Sequence, residues 1–308
     1  MDVLDDILNT LDLKGALYFR TAFSPPWAVE VPDLEQAARF HLLVQGRLHV
    51  RFPSGAAVDL LPGDLVLIPR GLRHVLSDQP GRTAAALETV IADAGYAGEG
   101  VFAVGAGDPK ASTQMICGHF TFRDGADHPL LRALPEFLVI GAADRAREMW
   151  MDEVLRLLTR RMFSENAGSA ATITRLSEVF FIEMLRLGVG QSEPMQAILS
   201  ALTDRQIGKA LQLMHHRADE AWTVESLAAE AGMSRSSFAE RFSDLMGMGP
   251  MRYLSEWRLQ KALSMISDTR CSVQQAAAET GYRSAAAFTR AFSARFGFAP
   301  RDLKRKSA

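Results

Sequence analysis

At 308 residues, with 48% hydrophobic and 23% charged side chains, the chain is long enough for two domains with real cores. It has no secretory signal and no apolar run that would span a bilayer, which predicts a cytoplasmic protein with no membrane partner. Its two cysteines, Cys117 and Cys271, fall in different expected domains and rule against a disulfide framework. A net charge of −2 hides an asymmetry: from Thr203 onward 16 Lys and Arg face 11 Asp and Glu, while the rest carries 18 against 25. That is the distribution of a basic nucleic-acid reader attached to an acidic partner domain.

Met1 to Leu13 reads as a short amphipathic helix, with Val3, Leu4, Ile7, Leu8 and Leu11 at helical spacing. In the following "ALYFRTAFSPPWAVEVP", Pro25, Pro26 and Pro32 punctuate short extended pieces. From Phe40 to Ala92 the pattern is all-β, with short apolar runs between Gly and Pro. Within it "GDLVLIPRGLRH" (Gly63–His74) spaces its Gly, Pro, Gly and His as G-x5-P-x-G-x2-H. This resembles the second motif of the cupin superfamily, a small β-barrel that encloses a ligand or a metal. The resemblance implies a bend that aims His74 into the barrel mouth. The preceding cupin motif, His-x-His with a Glu further on, is represented by His41 alone, so the metal set of enzymatic cupins is incomplete.

"MICGHFTF" adds two donors, because Cys117 and His119 share one face of a strand. His41, His74, Cys117 and His119 are therefore the candidate effector or metal residues, with zinc the metal their chemistry suits. The alternatives are an oxidant-sensitive Cys117 thiolate beside a cationic His, an apolar effector pocket, or no ligand. His49 and His128 read as surface or turn residues.

"HPLLRALPEFLVI" (His128–Ile140) reads as the exit from the barrel, giving a sensor domain over 1–140. A helical hairpin over 141–190 follows. Met149, Val154, Leu155, Leu158 and Met162 mark its first helix; Ile173, Leu176, Val179, Phe180, Met184 and Leu187 mark its second. It either covers the barrel or forms a dimer seam. Residues 191–202 read as a linker.

The last third carries one pattern twice. "SLAAEAGMSRSSFAERFSDLMGMGPMRYL" (Ser226–Leu254) returns as "QAAAETGYRSAAAFTRAFSARFGFAPRDL" (Gln275–Leu303). Each copy predicts a helix-turn-helix: an Ala-rich helix, Gly232 or Gly281 at its end, Ser234 or Ser284 as the next cap, and a second helix. Phe238, Phe242 and Leu245 form its buried stripe in the first copy; Phe288, Phe292 and Phe296 do so in the second. Before the second copy, Ser272 and Gln275 have capping-box spacing.

Small and polar residues beside Arg suit a helix set in a major groove, where Arg bonds guanine edges and Ser bonds bases or phosphates. The candidate DNA-binding residues are Arg235, Ser236, Ser237, Glu240 and Arg241, then Arg283, Ser284, Ala286, Thr289 and Arg290. A joining helix starts at Pro250 with Leu259, Ala262, Leu263 and Ile266 as its stripe. It would set the reading helices about 34 Å apart, one turn of DNA. Phe296-Gly297-Phe298-Ala299-Pro300 closes the pattern, and the double unit over 203–308 is similar to the DNA-binding domain of the AraC/XylS family of bacterial transcription regulators.

The expectation is an α+β protein: a cupin-like barrel, a helical hairpin and an all-α double helix-turn-helix domain. It would act as a DNA-binding transcription regulator whose barrel senses a small effector, metal or oxidant. Its expected partners are double-stranded operator DNA, a second copy as homodimer, and RNA polymerase if it activates. The alternative is a metal-dependent cupin enzyme, an isomerase or dioxygenase, carrying a DNA-binding appendage. Against the enzyme, no carboxylate is spaced to act as a base beside a metal.

Overall fold

The computed structural model describes residues 3–98, 100–107, 111–147, 149–162, 169–268 and 271–306. The chain forms two compact units, and they interleave in sequence. One is Lys14–Phe122 with Pro135–Gln191; the other is Met1–Leu13, Arg123–Leu134 and Ser192–Ala308. This corrects the expected division at residues 140 and 203. The amphipathic stripe of α1 (Val3–Leu11) buries Val3, Ile7 and Leu11 completely, but it does so in the C-terminal unit.

The first unit holds β1 (Lys14–Phe23), β2 (Ala28–Val31), β3 (Ala37–Gln45), β4 (Leu48–Arg51), β5 (Ala57–Leu60), β6 (Leu65–Ile68), β7 (His74–Ser77), β8 (Ala85–Ala86), α2 (Leu87–Asp93), β9 (Val101–Val104) and β10 (Thr113–Thr121). The helix α2 interrupts a stretch expected to be β throughout. The segment after β10 carries α3 (Pro129–Arg132) into the other unit, and the chain returns as β11 (Leu138–Ile140). The expected exit from the barrel is thus divided between the units. Two sheets result, ordered β11-β6-β3-β10-β1-β9 and β5-β4-β7-β2-β8.

Their facing sides share a core of Phe23, Trp27, Val29, Leu43, Val50 and Phe102, among others. Strand β3 is buried along both faces, which explains why its sequence is nearly continuous in apolar residues instead of alternating. Arg39, His41 and Leu43 turn into the barrel. On the opposite face Phe40 meets Phe180 at 5.6 Å, and Phe120 of β10 meets Phe181 at 4.9 Å. Those partners lie on α6 (Ser169–Gly188), which follows α4 (Ala142–Arg147) and α5 (Met149–Met162). The hairpin therefore covers the barrel. Val154, Leu155, Phe180 and Met184 are buried as expected, Leu176 and Leu187 are half-buried, and Val179 is 43% exposed with Phe181 buried in its place. The side chains of Met149, Leu158, Met162 and Ile173 lie outside the described residues.

In the second unit Ser192 caps α7 (Glu193–Thr203) by accepting from the Met195 amide, so the expected linker over 191–202 is mostly helix. Then come α8 (Ile207–His216), α9 (Val224–Glu230), α10 (Arg235–Met246), α11 (Pro250–Ser267), α12 (Val273–Glu279), α13 (Ala285–Phe296) and α14 (Pro300–Lys306). Pro250 and Pro300 stand at first-turn positions of their helices. Gly247 and Gly297 close α10 and α13 in the left-handed region, at φ 68° and 76°. Gly281, at φ 76°, also admits close packing: a Cβ there would fall 2.8 Å from the Asp219 carbonyl oxygen. Ser272 caps α12 through the Gln275 amide, but the Gln275 side chain bonds Glu279 at 2.8 Å and leaves the box half made. Helix α11 buries Tyr253, Leu254 and Trp257 beyond its predicted stripe, because it is shared by both helix-turn-helix units and by α1. Each fully buried Phe of α10 and α13 contributes about 1.5–3 kcal/mol to this core.

Candidate functional site

Helices α10 and α13 each bury a phenylalanine stripe and leave most of the candidate residues at the surface. On α10, Phe238, Phe242 and Met246 are buried, with Met246 in the place expected for Leu245, which is half-buried. Arg235, Ser236, Ser237, Glu240 and Arg241 are exposed. On α13, Phe288 and Phe292 are buried, Phe296 is half-buried, and Arg283, Ser284, Ala286 and Arg290 are exposed with Thr289 half-buried. Both helices start on a serine: Ser234 accepts from the Ser237 amide and Ser284 from the Ala287 amide, each at 3.2 Å. The Ser284 hydroxyl is thereby committed to the helix start.

Arg241 is similarly engaged. It donates to Asp204 at 2.5 Å, and the same carboxylate accepts from the amides of Gln206 and Ile207 at the start of α8. Despite partial burial, those hydrogen bonds hold the Asp204 carboxyl below its ordinary range. Arg235 pairs with Glu225 of α9, but both side chains are mostly exposed, so water and salt weaken the pair and leave Arg235 available to a phosphate or a base.

Inside the barrel, strand register sets His41 of β3 opposite Cys117 of β10. The bend of the Gly63–His74 motif brings in the third group. Gly71, at φ 59°, passes so close to the Leu34 carbonyl that a Cβ would lie 2.2 Å from its oxygen, and β7 then starts at His74 with its side chain 1% exposed. His74 Nδ1–H donates to the Leu72 carbonyl at 2.7 Å. That assigns His74 Nε2 as acceptor for His41 Nε2–H at 2.9 Å, and His41 Nδ1 as acceptor for the Cys117 thiol at 3.1 Å.

Every group in this chain is neutral. Burial holds His41 well below its ordinary value, helped by His74 and Arg39. Burial also lowers His74 to about 4, against the opposing pull of the Leu72 carbonyl, and it raises the Cys117 thiol.

This argues against the alternative of an oxidant-sensitive thiolate, since burial favours the neutral His41 imidazole and the protonated Cys117 thiol. Nor do the residues fit a metal centre. Cys117 and His74 occupy different nitrogens of the His41 ring, so both imidazole acceptors are already spent. His119 stands opposite Arg39 in the β3–β10 register. Among the described residues no group of three or more His, Cys, Asp or Glu is placed to hold one ion.

Beside the chain lies a cavity of about 150 Å³. Its walls are apolar, formed by Phe23, Val29, Val31, Leu76, Phe102 and Met115, with Thr21, Arg39, His41 and Cys117 the polar groups that reach it.

A second buried polar chain, invisible in the sequence, lies in the C-terminal unit. His128 caps α3, its Nδ1 accepting from the Leu130 amide at 3.1 Å. Its Nε2–H therefore donates to the Tyr253 hydroxyl at 3.1 Å, and that hydroxyl donates to His215 Nε2 at 2.7 Å. His215 Nδ1–H ends the chain on the Asp6 carboxylate at 2.9 Å, while Trp257 stacks on the His215 ring at 3.8 Å. His128, expected as a surface or turn residue, thus stands at a helix start but is buried and structural. The only local sign of its role is the Pro129 that follows it.

Two family models match the chain: a cupin over residues 2–189 and a helix-turn-helix domain over residues 227–306. The HTH-type transcriptional regulator AlkR of Acinetobacter baylyi is 28% identical over 312 residues, covering 100% of both chains. The RCS-specific HTH-type transcriptional activator RclR of Escherichia coli is 30% identical over 308 residues, covering 99% of this chain and 98% of its own. An AraC-like transcription regulator of Streptomyces lividans is 27% identical, with 99% and 98% covered.

Proposed function

Because this chain belongs to the AraC-like family of transcription regulators, with a cupin domain ahead of its helix-turn-helix domain, we propose that it is a ligand-responsive, sequence-specific reader of operator DNA. The observation that supports a ligand is the apolar cavity within the barrel, beside polar groups that already satisfy one another. A small molecule that prefers one arrangement of the protein shifts the population toward it, and so changes how α10 and α13 are presented to DNA. Arg235, Ser236, Ser237 and Glu240 read one half-site; Arg283, Ala286, Thr289 and Arg290 read the other. Arg241 and Ser284 serve by holding helix starts in place.

The protein works in the cytoplasm and not as an enzyme. Among the described residues no helix is long and apolar enough to cross a membrane. The hairpin leaves Leu157 and Val179 each 43% exposed, which supports a homodimer matched to a repeated operator, with RNA polymerase a further partner if the protein activates. Selection from a random duplex library by the full chain tests the reading. The expected result is a sequence with two elements about one helical turn apart. Failure to enrich any sequence refutes it.

A further inference from the structure

We propose that the barrel takes a small apolar monocarboxylate, its carboxylate on Arg39 and its carbon body in the cavity beside it. This rests on the reading of the barrel as an effector site and names the chemistry of that effector. Arg39 is only 6% exposed and lines the cavity. One of its terminal nitrogens donates to the Pro32 carbonyl, a neutral acceptor, while its Nε is buried with no hydrogen-bond partner. Among the described residues no carboxylate lines the cavity. Asp33, next to Pro32, accepts from the Arg73 amide at 2.8 Å, and among the described residues Arg39 enters no ion pair.

The other titratable groups nearby add no charge. Burial keeps the His41 and His74 imidazoles neutral and the Cys117 thiol protonated, and burial followed by Arg39 itself lowers His119. Among the described residues the wall thus carries one formal charge, a guanidinium in an apolar surround, with an N–H unused. Buried charges are ordinarily paired, and a carboxylate matches the planar guanidinium fork.

One cation selects a monoanion. A phosphate dianion would need donors that the neighbouring imidazoles and thiol have already given to one another. Volume selects the body: a cavity of about 150 Å³ is the size that accommodates benzene in an apolar protein interior.

Calorimetry on the full chain with sodium benzoate, and with benzamide as its neutral counterpart of the same shape, tests the assignment. Wild-type protein is expected to bind benzoate at least tenfold more tightly than benzamide. Arg39→Met, which keeps the length and removes the charge, is expected to lose that preference while still binding benzamide. Equal binding of the two probes by wild-type protein overturns the carboxylate assignment and leaves an effector cavity standing. Binding of neither overturns the effector reading as well.

A second readout needs no variant. The carboxyl carbon of ¹³C-labelled benzoate, followed by NMR on wild-type protein, is expected to stay ionised to lower pH when bound than when free. A bound carboxyl that titrates at or above the free value overturns the role of Arg39.

Discussion

Tyr253→Phe probes the buried chain of the C-terminal unit with minimal change of shape. The ring remains, so its packing against Phe242 at 5.7 Å and His215 at 5.9 Å is retained, and only one oxygen is removed. That oxygen is the acceptor for His128 Nε2–H and the donor to His215 Nε2. Both imidazoles are essentially inaccessible, at 2% and 0% exposure, so water does not replace what is lost. Leaving one buried polar group unsatisfied costs about 1–3 kcal/mol. Two such groups predict a loss of about 2–6 kcal/mol, a large share of the roughly 5–15 kcal/mol that holds a domain folded.

Urea denaturation followed by tryptophan fluorescence reads this, since Trp257 stacks directly on His215. In a cycle with Asp6→Ala, the two substitutions should couple by more than about 0.5 kcal/mol, because Asp6 fixes the tautomer that makes His215 an acceptor for Tyr253. A Tyr253→Phe protein within about 0.5 kcal/mol of wild type would show that the chain does not hold these segments together.

Arg235→Ala and Arg283→Ala should each weaken operator binding by about 1–3 kcal/mol in fluorescence anisotropy, and wild-type affinity for both would place the reading face elsewhere. Residues 192–308 expressed alone should melt below the C-terminal unit of the intact chain and bind DNA more weakly. They lack α1 and Arg123–Leu134, whose Val3, Ile7, Leu11, Leu130 and Leu134 are buried in that unit; a fragment as stable and as active as the whole would refute this. Cys117 should react with a thiol reagent only on the timescale of unfolding, because burial both hides it and raises its pKa, and rapid labelling of folded protein would contradict that assignment.

The histidines predict acid lability. Burial depresses His41, His74, His128 and His215 in the folded state, so below the ordinary histidine range the unfolded chain binds protons that the folded chain does not. Stability should be level above about pH 6.5 and fall as pH drops toward the folded values, about 4 for His74, by at most about 1.4 kcal/mol per pH unit for each histidine. Stability that rises on acidification through this range would refute the neutral assignments.

What could be read from the sequence is what repeats or what bends locally. The twin helices α10 and α13 announce themselves through Phe238/Phe242 and Phe288/Phe292, through their serine caps, and through glycines at positions where the backbone turns left-handed. The Gly63–His74 motif predicts an inward His74 for the same reason, since its turn chemistry is local. The meeting of His41 with Cys117 depends on the β3–β10 register, a relation across 76 residues that strand alternation alone leaves open.

The chain from Asp6 to His128 was beyond reach for a stronger reason. Its four members come from α1, the segment before α3, α8 and α11, and nothing in any one of those stretches requires the others. Each isolated histidine is, in sequence, indistinguishable from a surface one such as His216. The interleaving of the two units has the same origin: the apolar stripe of α1 shows that it must be buried, and periodicity carries no information about where. Arg39 illustrates the converse. A charged residue in the run Ala37–Val44, whose other members except His41 are apolar, violates the pattern that makes β3 a buried strand. A violation that the fold keeps at the expense of an unpaired buried charge is what a ligand-binding position is expected to look like before its ligand arrives. The residues that least obey the folding rules of their own strand are therefore the ones to test first for function.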